Sequence, residues 1–409
     1  MKTSILSTLA TLTLCAAVLA NPADPQISNL NVTQNASRIV HVAYTLDEPA
    51  YVTIDILTNG VSIGGANIQN LVGDVNKLVP AGSHGIDWYA HRSWPGWRFD
   101  DATVSVQLTA SAEDNPPDIL VIDLGTKVVA YYPGMDFLPD GGLVNDKYRT
   151  SHLVMKKVHA ANQTFTMGSP DSPKESPYRG DDEVQHLVKF TKDYYLAIYE
   201  TTRRQFKLLG GTENTANQAT PYGTDDANQC PIAFVRYDVL RSSDWPTDGY
   251  ANPGGLIGSF QSAFGLALDL PTEAQWEFAC RAGTTTAMYN GKGNVNQYSN
   301  SDVAEIAWYY YNSGNGENVH AVGGKPANPW GFYDMYGNVS EWCLDWRGAY
   351  DTSVSPAVDP KGASMGDRRI LRGGRFKNFS PLFRSAARDH TQPNWAEVGW
   401  GFRLCLPLQ

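Results

Sequence analysis

Basic residues, long apolar runs and cysteine are all scarce in this 409-residue sequence, and each scarcity argues against a class of protein. Lys and Arg number 32 against 42 Asp and Glu, the formal net charge is -10, and no basic stripe is present. Binding to nucleic acid or to an anionic membrane needs clustered positive charge, so neither is expected as a partner. Beyond the N-terminal segment, no apolar run approaches the roughly 20 residues of a membrane-spanning helix, so no membrane span is expected.

The few cysteines argue against a zinc site. Cys15 lies in the N-terminal segment, and Cys230, Cys280, Cys343 and Cys405 follow later. These four have neither CxxC spacing nor a nearby pair of histidines, the arrangements typical of zinc ligands. Their even number is typical of structural disulfides in an exported protein. The 8 histidines show no i, i+4 pair and are interpreted as ordinary surface or core residues.

The first 20 residues have the pattern of an export signal. Lys2 supplies the positive start, residues 5–19 are mostly apolar, and Ala20 ends a small-residue cleavage site. We therefore expect a signal peptide over residues 1–20 and a periplasmic or extracellular protein, with attachment to the cell surface as a further option. A lipid anchor on Cys15 is the minor alternative, because Leu14 precedes it where an acylation site has a small residue.

The abundant residues are those of turns and aromatic cores, since 37 Gly, 24 Pro and 11% aromatic residues indicate many turns and short strands. The length favours two domains. Residues 21–113 are predicted to form an immunoglobulin-like β-sandwich, because runs such as 51–57 and 102–108 alternate between apolar and polar positions. Asn59-Gly60, after the first of these runs, predicts a hairpin.

Residues 114–147 are predicted to be a linker with one apolar strand at residues 119–122. The second domain then extends over residues 148–409. It begins with two runs, residues 153–158 and 164–169, whose alternation predicts a hairpin.

Helices in the second domain are predicted to be few. The clearest extends over residues 271–281, with Thr272 as its N-cap and carboxylates in or near its first turn. Another is predicted over residues 201–209, where Gly210 ends the pattern.

Six short motifs in the second domain carry a family resemblance. They are Phe165-Thr166-Met167-Gly168-Ser169, Tyr199-Glu200-Thr201-Thr202, Leu270-Pro271-Thr272-Glu273-Ala274-Gln275-Trp276-Glu277-Phe278, residues 328–342, Leu371-Arg372-Gly373-Gly374 and Gly401-Phe402-Arg403. In this order, they resemble the motifs of the formylglycine-generating (sulfatase-modifying factor) enzymes over about residues 148–409. The resemblance implies an α+β domain related to C-type lectins, with little regular secondary structure. The first domain has no part in it.

The resemblance also implies a chemistry: oxidation of a sulfatase cysteine to formylglycine by molecular oxygen, with copper held by two cysteines shortly after the Arg-Gly-Gly motif. In this sequence no cysteine lies between Cys343 and Cys405. Thiolates select Cu(I), and hydroxyls or amides do not replace them. Copper and the oxidase activity are therefore not expected, and no catalytic residue is assigned.

A structural calcium ion is implied instead. The family's ligand positions correspond to Asp334, Gly337, Val339 and Glu341, and two carboxylates with two backbone carbonyls are oxygen ligands of the kind that calcium takes. The alternative is that Asp334 and Glu341 only hydrogen-bond the turn.

The family can also join a cysteine at the end of the Trp-Glu helix to one after the terminal Gly-Phe-Arg. This implies a disulfide between Cys280 and Cys405, although Cys405 is displaced by one residue, which in a strand reverses the side chain's direction. Cys230 and Cys343 are then a second pair or free buried thiols.

Two functions are compatible with this pattern. The first is a binding module for an unknown protein, peptide or glycan. Between residues 375 and 400, segments that look structural alternate with side chains of mixed chemistry. This spacing resembles that of the variable proteins of diversity-generating retroelements. The candidate ligand-binding residues are Lys377, Asn378, Phe379, Ser380, Phe383, Arg388, His390, Trp395 and Arg403. The second is a divergent sulfatase-modifying enzyme or another oxidoreductase of the family, but Ser380 has no evident His base. Arg388 and Arg403 are equally compatible with buried charges held by Asp or Glu.

Overall fold

The structure divides the chain into two compact units. This computed structural model describes residues 24–93, 104–171, 178–241, 255–292 and 299–408, and the backbone of 12–13 and 15–19. Unit 1 comprises Met1–Val121 and Val129–Asn145, and unit 2 comprises Ile122–Val128 and Asp146–Gln409. The predicted cleavage site after Ala20 lies outside the described residues.

Unit 1 consists mainly of strands. In chain order up to residue 111 its elements are β1 (Leu12–Thr13), β2 (Cys15–Leu19), β3 (Ile27–Gln34), β4 (Ile39–Leu46), β5 (Ala50–Thr58), β6 (Val61–Ser62), β7 (Leu71–Gly73), β8 (Lys77–Val79), β9 (Gly82–Tyr89), α1 (Ala90–Ser93) and β10 (Val104–Ser111). One sheet has the order β1-β3-β4-β9-β7, and the other has the order β2-β10-β5-β6 with β8 also paired to β5. Strands β1 and β2 fall within the predicted export signal.

The two sheets of unit 1 enclose one hydrophobic core. Along β10, buried and half-buried residues alternate, so that one face of the strand points inward. Trp88 of β9 and Ile56 of β5 are fully buried in the same core. The predicted hairpin is confirmed, since Thr58 pairs with Val61 across Asn59 and Gly60. Both turn residues have positive φ angles, 51° and 77°, as a two-residue hairpin turn requires.

The segment between residues 114 and 147 contains two strands rather than the single strand expected. They are β11 (Ile119–Asp123) and β12 (Val129–Tyr132). The extra strand is followed by a 3-10 turn, Met135–Phe137, which approaches Gly65 so closely that the Gly65 amide donates to the Asp136 carbonyl at 2.9 Å. A Cβ at Gly65 would lie 2.2 Å from the Phe137 backbone, so this contact requires glycine.

Unit 2 combines short strands with short helices. Its strands are β13 (His152–Val158), β14 (Thr164–Met167), β15 (His186–Lys189), β16 (Tyr194–Ala197), β17 (Thr220–Pro221), β18 (Asn318–Val319), β19 (Ser340–Trp346), β20 (Ala357–Val358), β21 (Arg369–Arg372), β22 (Asp389–Thr391), β23 (Trp400–Gly401) and β24 (Cys405–Pro407). Its helices are α2 (Lys147–Thr150), α3 (Arg203–Leu208), α4 (Tyr237–Arg241), α5 (Leu256–Phe264), α6 (Glu273–Arg281) and α7 (Ser301–Ile306). Within this unit β16 lies between β13 and β24, and further sheets have the orders β14-β15-β20, β17-β18 and β22-β21-β19-β23.

The hairpin predicted at the start of this unit is wrong. Strand β13 pairs antiparallel with β16, and β14 pairs antiparallel with β15. Alternation identified both strands, but it carries no information about which distant strand is the partner.

The two predicted helices are confirmed, each with a capping box. Thr272 accepts from the Gln275 amide at the start of α6, and the Gln275 side chain bonds back to the Thr272 backbone. Thr202 and Gln205 make the same pair of bonds at the start of α3. These local bonds satisfy amides that the first helical turn leaves free.

Among the described residues, the longest helices have nine residues, and none combines the length and apolar character required to cross a bilayer.

Candidate functional site

The loops that follow β21 are held by buried ion pairs. Arg372 of β21 donates to Glu277, and Arg384 donates to both carboxylate oxygens of Glu183, at 2.5 and 2.8 Å. All four side chains are at most 3% exposed. Charge-assisted bonds are strong and directional inside a protein, so these pairs fix loops that lack regular secondary structure.

Two of the predicted ligand-binding residues belong to the same group of ion pairs. Arg388 donates to both oxygens of Glu273 at 2.8 and 2.9 Å, and Arg403 donates to both oxygens of Glu341 at 2.7 Å. Neither arginine side chain is more than 2% exposed. Arg388 and Arg403 thus pair with buried carboxylates, as the alternative in the sequence analysis has it, although Arg388 and Glu273 also line a cavity.

Ser380 and Phe383 are also internal. Both are fully buried, and Ser380 begins a 3-10 turn, Ser380–Leu382. The Phe383 ring meets the Tyr309 ring edge-on, with centroids 5.9 Å apart. These two predicted ligand-binding residues therefore support the loop from within.

Exposed and half-buried side chains of this loop and of the loop at residues 310–311 form a group that we call the aromatic surface: Tyr310, Tyr311, Lys377, Phe379 and Leu382. The Phe379 ring lies 4.7 Å from Tyr310 and 5.9 Å from Tyr311. Tyr311, Phe379 and Leu382 are 49%, 36% and 44% exposed. Lys377 is exposed at its edge. Large rings held together at the surface offer apolar area to a partner.

Asn378 joins the two loops that carry the aromatic surface. Its side-chain oxygen accepts from the Arg375 amide at 2.8 Å, and its backbone carbonyl accepts from the Tyr310 amide at 3.0 Å. Asn378 therefore positions the neighbouring rings.

The remaining two predicted residues lie on other elements. His390 is on β22, where its Nδ1 lies 3.4 Å from Arg368. Burial lowers the pKa of His390, and the charges of Arg347 and Arg368 add to the shift. Trp395 is 61% exposed in the loop after β22, with its amide bonded to the Gln392 carbonyl.

The tyrosines at 309–311 were not among the predicted site residues. The sequence signal is three consecutive tyrosines followed by a polar, glycine-rich segment. The structure shows that Tyr310 and Tyr311 share a surface with Phe379, whereas Tyr309 is buried against Phe383.

The predicted calcium positions fit an ion only in part. Asp334 is 1% exposed, with Oδ2 accepting from the Gly323 amide and Oδ1 left without a hydrogen-bond partner. Burial raises the pKa of Asp334 to about 6. Glu341, in contrast, already binds Arg403 and accepts from the Trp276 indole at 2.8 Å. An orphaned buried carboxylate oxygen is the kind of group that a cation would satisfy.

Glu200 is a further acidic residue here that was not predicted. It accepts from the Asn338 side chain at 2.8 Å and from the Val339 amide at 2.9 Å. Burial, reinforced by the charges of Asp334 and Glu341, raises its pKa well above the ordinary value. Within the described part of the chain no three acidic, His or Cys side chains converge on one ion. A calcium ion would therefore need the backbone carbonyls of the predicted set.

The predicted disulfide between Cys280 and Cys405 is not formed. All four described cysteines are free, buried thiols. Cys280 Sγ faces Ser385 Oγ at 3.8 Å, while Cys405 Sγ faces the Gln275 side chain at 3.7 Å. The two thiols thus occupy separate surroundings, which agrees with the one-residue displacement of Cys405.

Known proteins resemble unit 2. The serine/threonine-protein kinase pkn1 of Chlamydia caviae is 37% identical over 141 residues, which cover 33% of this chain and only 20% of the kinase. The formylglycine-generating enzyme of Mus musculus is 34% identical over 282 residues, covering 61% of this chain and 74% of the enzyme. Among solved structures, Treponema denticola variable protein 1 has a TM-score of 0.50 and 21% identity, covering 63% of this chain and 95% of that protein. This last likeness concerns the fold alone.

The family described as the sulfatase-modifying factor enzyme 1-like domain matches residues 148–407. The match covers more than half of the chain and contains all six motifs. The chain therefore belongs to the sulfatase-modifying factor family, which the formylglycine-generating enzymes share.

Proposed function

We propose that this chain is an exported binding protein that holds a protein or peptide partner through the aromatic surface. One observation carries the proposal: Tyr310, Tyr311 and Phe379 form a partly exposed cluster on two loops that Asn378 joins. Aromatic side chains are enriched where binding energy concentrates, because they bury large areas with few rotatable bonds. A surface that is rigid before binding loses less entropy on association.

The cysteines support binding rather than copper chemistry. Burial raises the pKa values of Cys230 and Cys280 to about 12, and it raises that of Cys343 well above its usual range. The family's copper needs two neighbouring thiolates, and here Cys280 and Cys405 lie in separate surroundings, facing Ser385 and Gln275. Ser380, near the position of a lost thiol, is buried. The alternative of a divergent family oxidoreductase would need another set of reactive groups.

The role of the first unit follows from this proposal. We infer an immunoglobulin-like sandwich of strands β3 to β10 that displays the binding domain outside the cell, after cleavage behind Ala20 has removed β1 and β2. Sequencing the N-terminus of the protein secreted by its host tests this, with Asn21 as the expected first residue. A mature protein that keeps residues 1–20 would contradict the export proposal.

The binding proposal is tested with a random peptide library displayed on phage and selected on the full chain. Affinities of the enriched peptides, made synthetically, are then compared between the wild type, Phe379→Ala and Trp395→Ala. Loss of an anchoring ring at an interface centre is expected to weaken binding about tenfold or more. Trp395→Ala is the matched control, an exposed aromatic outside the aromatic surface. Failure to enrich peptides, or equal loss in both variants, would contradict the proposal.

A further inference from the structure

Unit 2 also contains an open cavity that the proposed function does not use. Its volume is about 380 Å³, within the range of small-molecule sites, about 300 to 1,000 Å³. The side chains that matter here are Arg149, Tyr222, Asp225, Gln229, Trp308 and His320. None of them belongs to the aromatic surface.

One wall of the cavity is a set of contacting rings. Trp308 stacks on His320 with centroids 3.7 Å apart and planes 11° apart, and Tyr222 meets His320 at 4.6 Å. Tyr222 is 45% exposed, whereas His320 is buried. Burial lowers the pKa of His320, although Asp225 opposes the shift. The Trp308 ring is contacted by both His320 and Lys325, whose Nζ lies 4.1 Å from the ring centroid, so the exposed Tyr222 ring is the one that can meet a ligand.

The Arg149 side chain supplies donors to the lining. It is 20% exposed, with one nitrogen 3.5 Å from Asp146, and its guanidinium carries several N–H groups. A ligand for this cavity is thus expected to bring acceptor oxygens.

The lining also contains acceptors, so the ligand must in addition donate hydrogen bonds. The Asp225 side chain is 33% exposed, accepts from the Ala321 amide at 3.2 Å and lies 3.3 Å from the His320 ring. The Gln229 side chain, with an amide that both donates and accepts, is half-buried beside it. A carboxylate or phosphate ligand could accept from Arg149, but an ionised group of this kind has no hydrogen to donate to Asp225. A hydroxyl accepts from the donors and donates to Asp225.

We propose that this cavity binds a neutral sugar ring. The apolar face of the sugar lies on the Tyr222 ring, and its hydroxyl groups bond to Arg149, Asp225 and Gln229. The same chemistry is presented by a free monosaccharide and by the terminal residue of a glycan chain. The site is separate from the aromatic surface, so either proposal can fail without the other.

Titration of the full chain with the methyl glycosides of glucose, galactose and mannose, followed by saturation-transfer NMR, tests the proposal. Binding of at least one glycoside is expected, with affinity reduced about tenfold in Tyr222→Ala and in Gln229→Ala. Tyr311→Ala, an aromatic truncation on the aromatic surface, is the matched control and should bind like the wild type. Thermal melts of all variants check that they are folded.

Two further ligands sharpen the outcome. Disaccharides that end in the preferred sugar should bind more tightly than its methyl glycoside if the natural ligand is a glycan chain, and equally if it is a free sugar. Glucuronate, a sugar with a carboxylate, tests whether the site prefers a neutral ligand. The proposal is overturned if no neutral glycoside binds, if glucuronate alone binds, or if Tyr222→Ala and Gln229→Ala leave the affinity unchanged.

Discussion

Buried pairs of arginine and glutamate connect distant segments of unit 2. Four arginines, Arg372, Arg384, Arg388 and Arg403, each meet a buried glutamate, and none of the four is more than 2% exposed as a side chain. Replacing one partner leaves an uncompensated charge in the interior, which destabilises far more than loss of a surface pair.

Glu183 gives a pH-dependent test of this view. Burial alone would raise its pKa, but bonds from Arg384 and Ser169 outweigh burial and hold the pKa below the ordinary 4.5. The ionised carboxylate therefore stabilises the fold above that value, and the contribution is lost as the pH falls through the lower folded pKa. We expect Glu183→Gln to lower the free energy of unfolding by about 3 kcal/mol near neutral pH.

Thermal melts from neutral pH down to about pH 3 measure this effect. The difference between wild type and Glu183→Gln should shrink below the ordinary pKa. Glu397→Gln is the matched control, because Glu397 pairs with Arg375 while 48% exposed. Its effect should stay within about 1 kcal/mol. A Glu183→Gln difference that is independent of pH would contradict the assignment.

The contact between Cys280 and Ser385 suggests an engineered disulfide. Their Sγ and Oγ atoms are 3.8 Å apart, and the residues are 105 positions apart in sequence. Ser385→Cys should form a disulfide with Cys280 under oxidising conditions and stabilise the fold by up to about 4 kcal/mol.

Thiol counting and melting with and without reductant measure the outcome. The gain should disappear with reductant and in a Ser385→Cys, Cys280→Ser double variant. An unchanged number of thiols after oxidation would show that the two side chains do not face each other as described.

At the scale of elements, a glycine turn at Gly337 lets two loops approach each other closely. Gly337 has a φ angle of 80°, and a Cβ there would lie 2.1 Å from the Trp308 carbonyl oxygen. The same carbonyl accepts from the Asn338 amide at 2.9 Å, so the two loops are locked together. Gly210 has a similar φ angle, 93°, but open space around it.

This pair separates steric contact from backbone strain. Gly210→Ala should destabilise by about 1 kcal/mol, the effect of a positive φ angle alone. Gly337→Ala should destabilise by more than about 3 kcal/mol, since backbone must also move. Urea unfolding of both variants measures the difference. Equal effects would mean that the approach to Trp308 is looser than described.

Elements defined by local signals were predictable from the sequence. The Thr272 cap and the Asn59-Gly60 turn act within a few residues, so α6 and the β5–β6 hairpin appear where expected. Strand pairing was not predictable from the sequence, because β13 pairs with β16 and β14 pairs with β15 instead of with each other.

At the scale of the whole molecule, the six motifs predicted the family and its range, because they are numerous and ordered. They did not predict which side chains face solvent. Arg403 meets a glutamate 62 positions away, and Tyr310 and Tyr311 meet Phe379 from another loop. Such contacts depend on the assembled fold. Of the predicted site residues Phe379 stays in the proposed surface, while Arg388 and Arg403 are paired with glutamates.

Calcium is a proposal that concerns the stability of the whole chain. If calcium binds the unpartnered Asp334 oxygen, the melting temperature should be higher in calcium than in EGTA. At a calcium concentration a hundredfold above the dissociation constant, the free energy of unfolding should rise by up to about 2.7 kcal/mol. Asp334→Asn should reduce this shift, and Asp302→Asn, on α7, should not. Equal melting temperatures of the wild type in calcium and EGTA would contradict the calcium proposal.

We propose that this family member binds a partner and does not oxidise a sulfatase cysteine. Incubating the full chain with Cu(I), oxygen and a sulfatase-derived cysteine peptide, and following the peptide by mass spectrometry, tests this proposal. A formylglycine-generating enzyme serves as the positive control. We expect no conversion of the cysteine to formylglycine by this chain, while the control enzyme converts it. Repeated turnover by this chain would contradict the proposal.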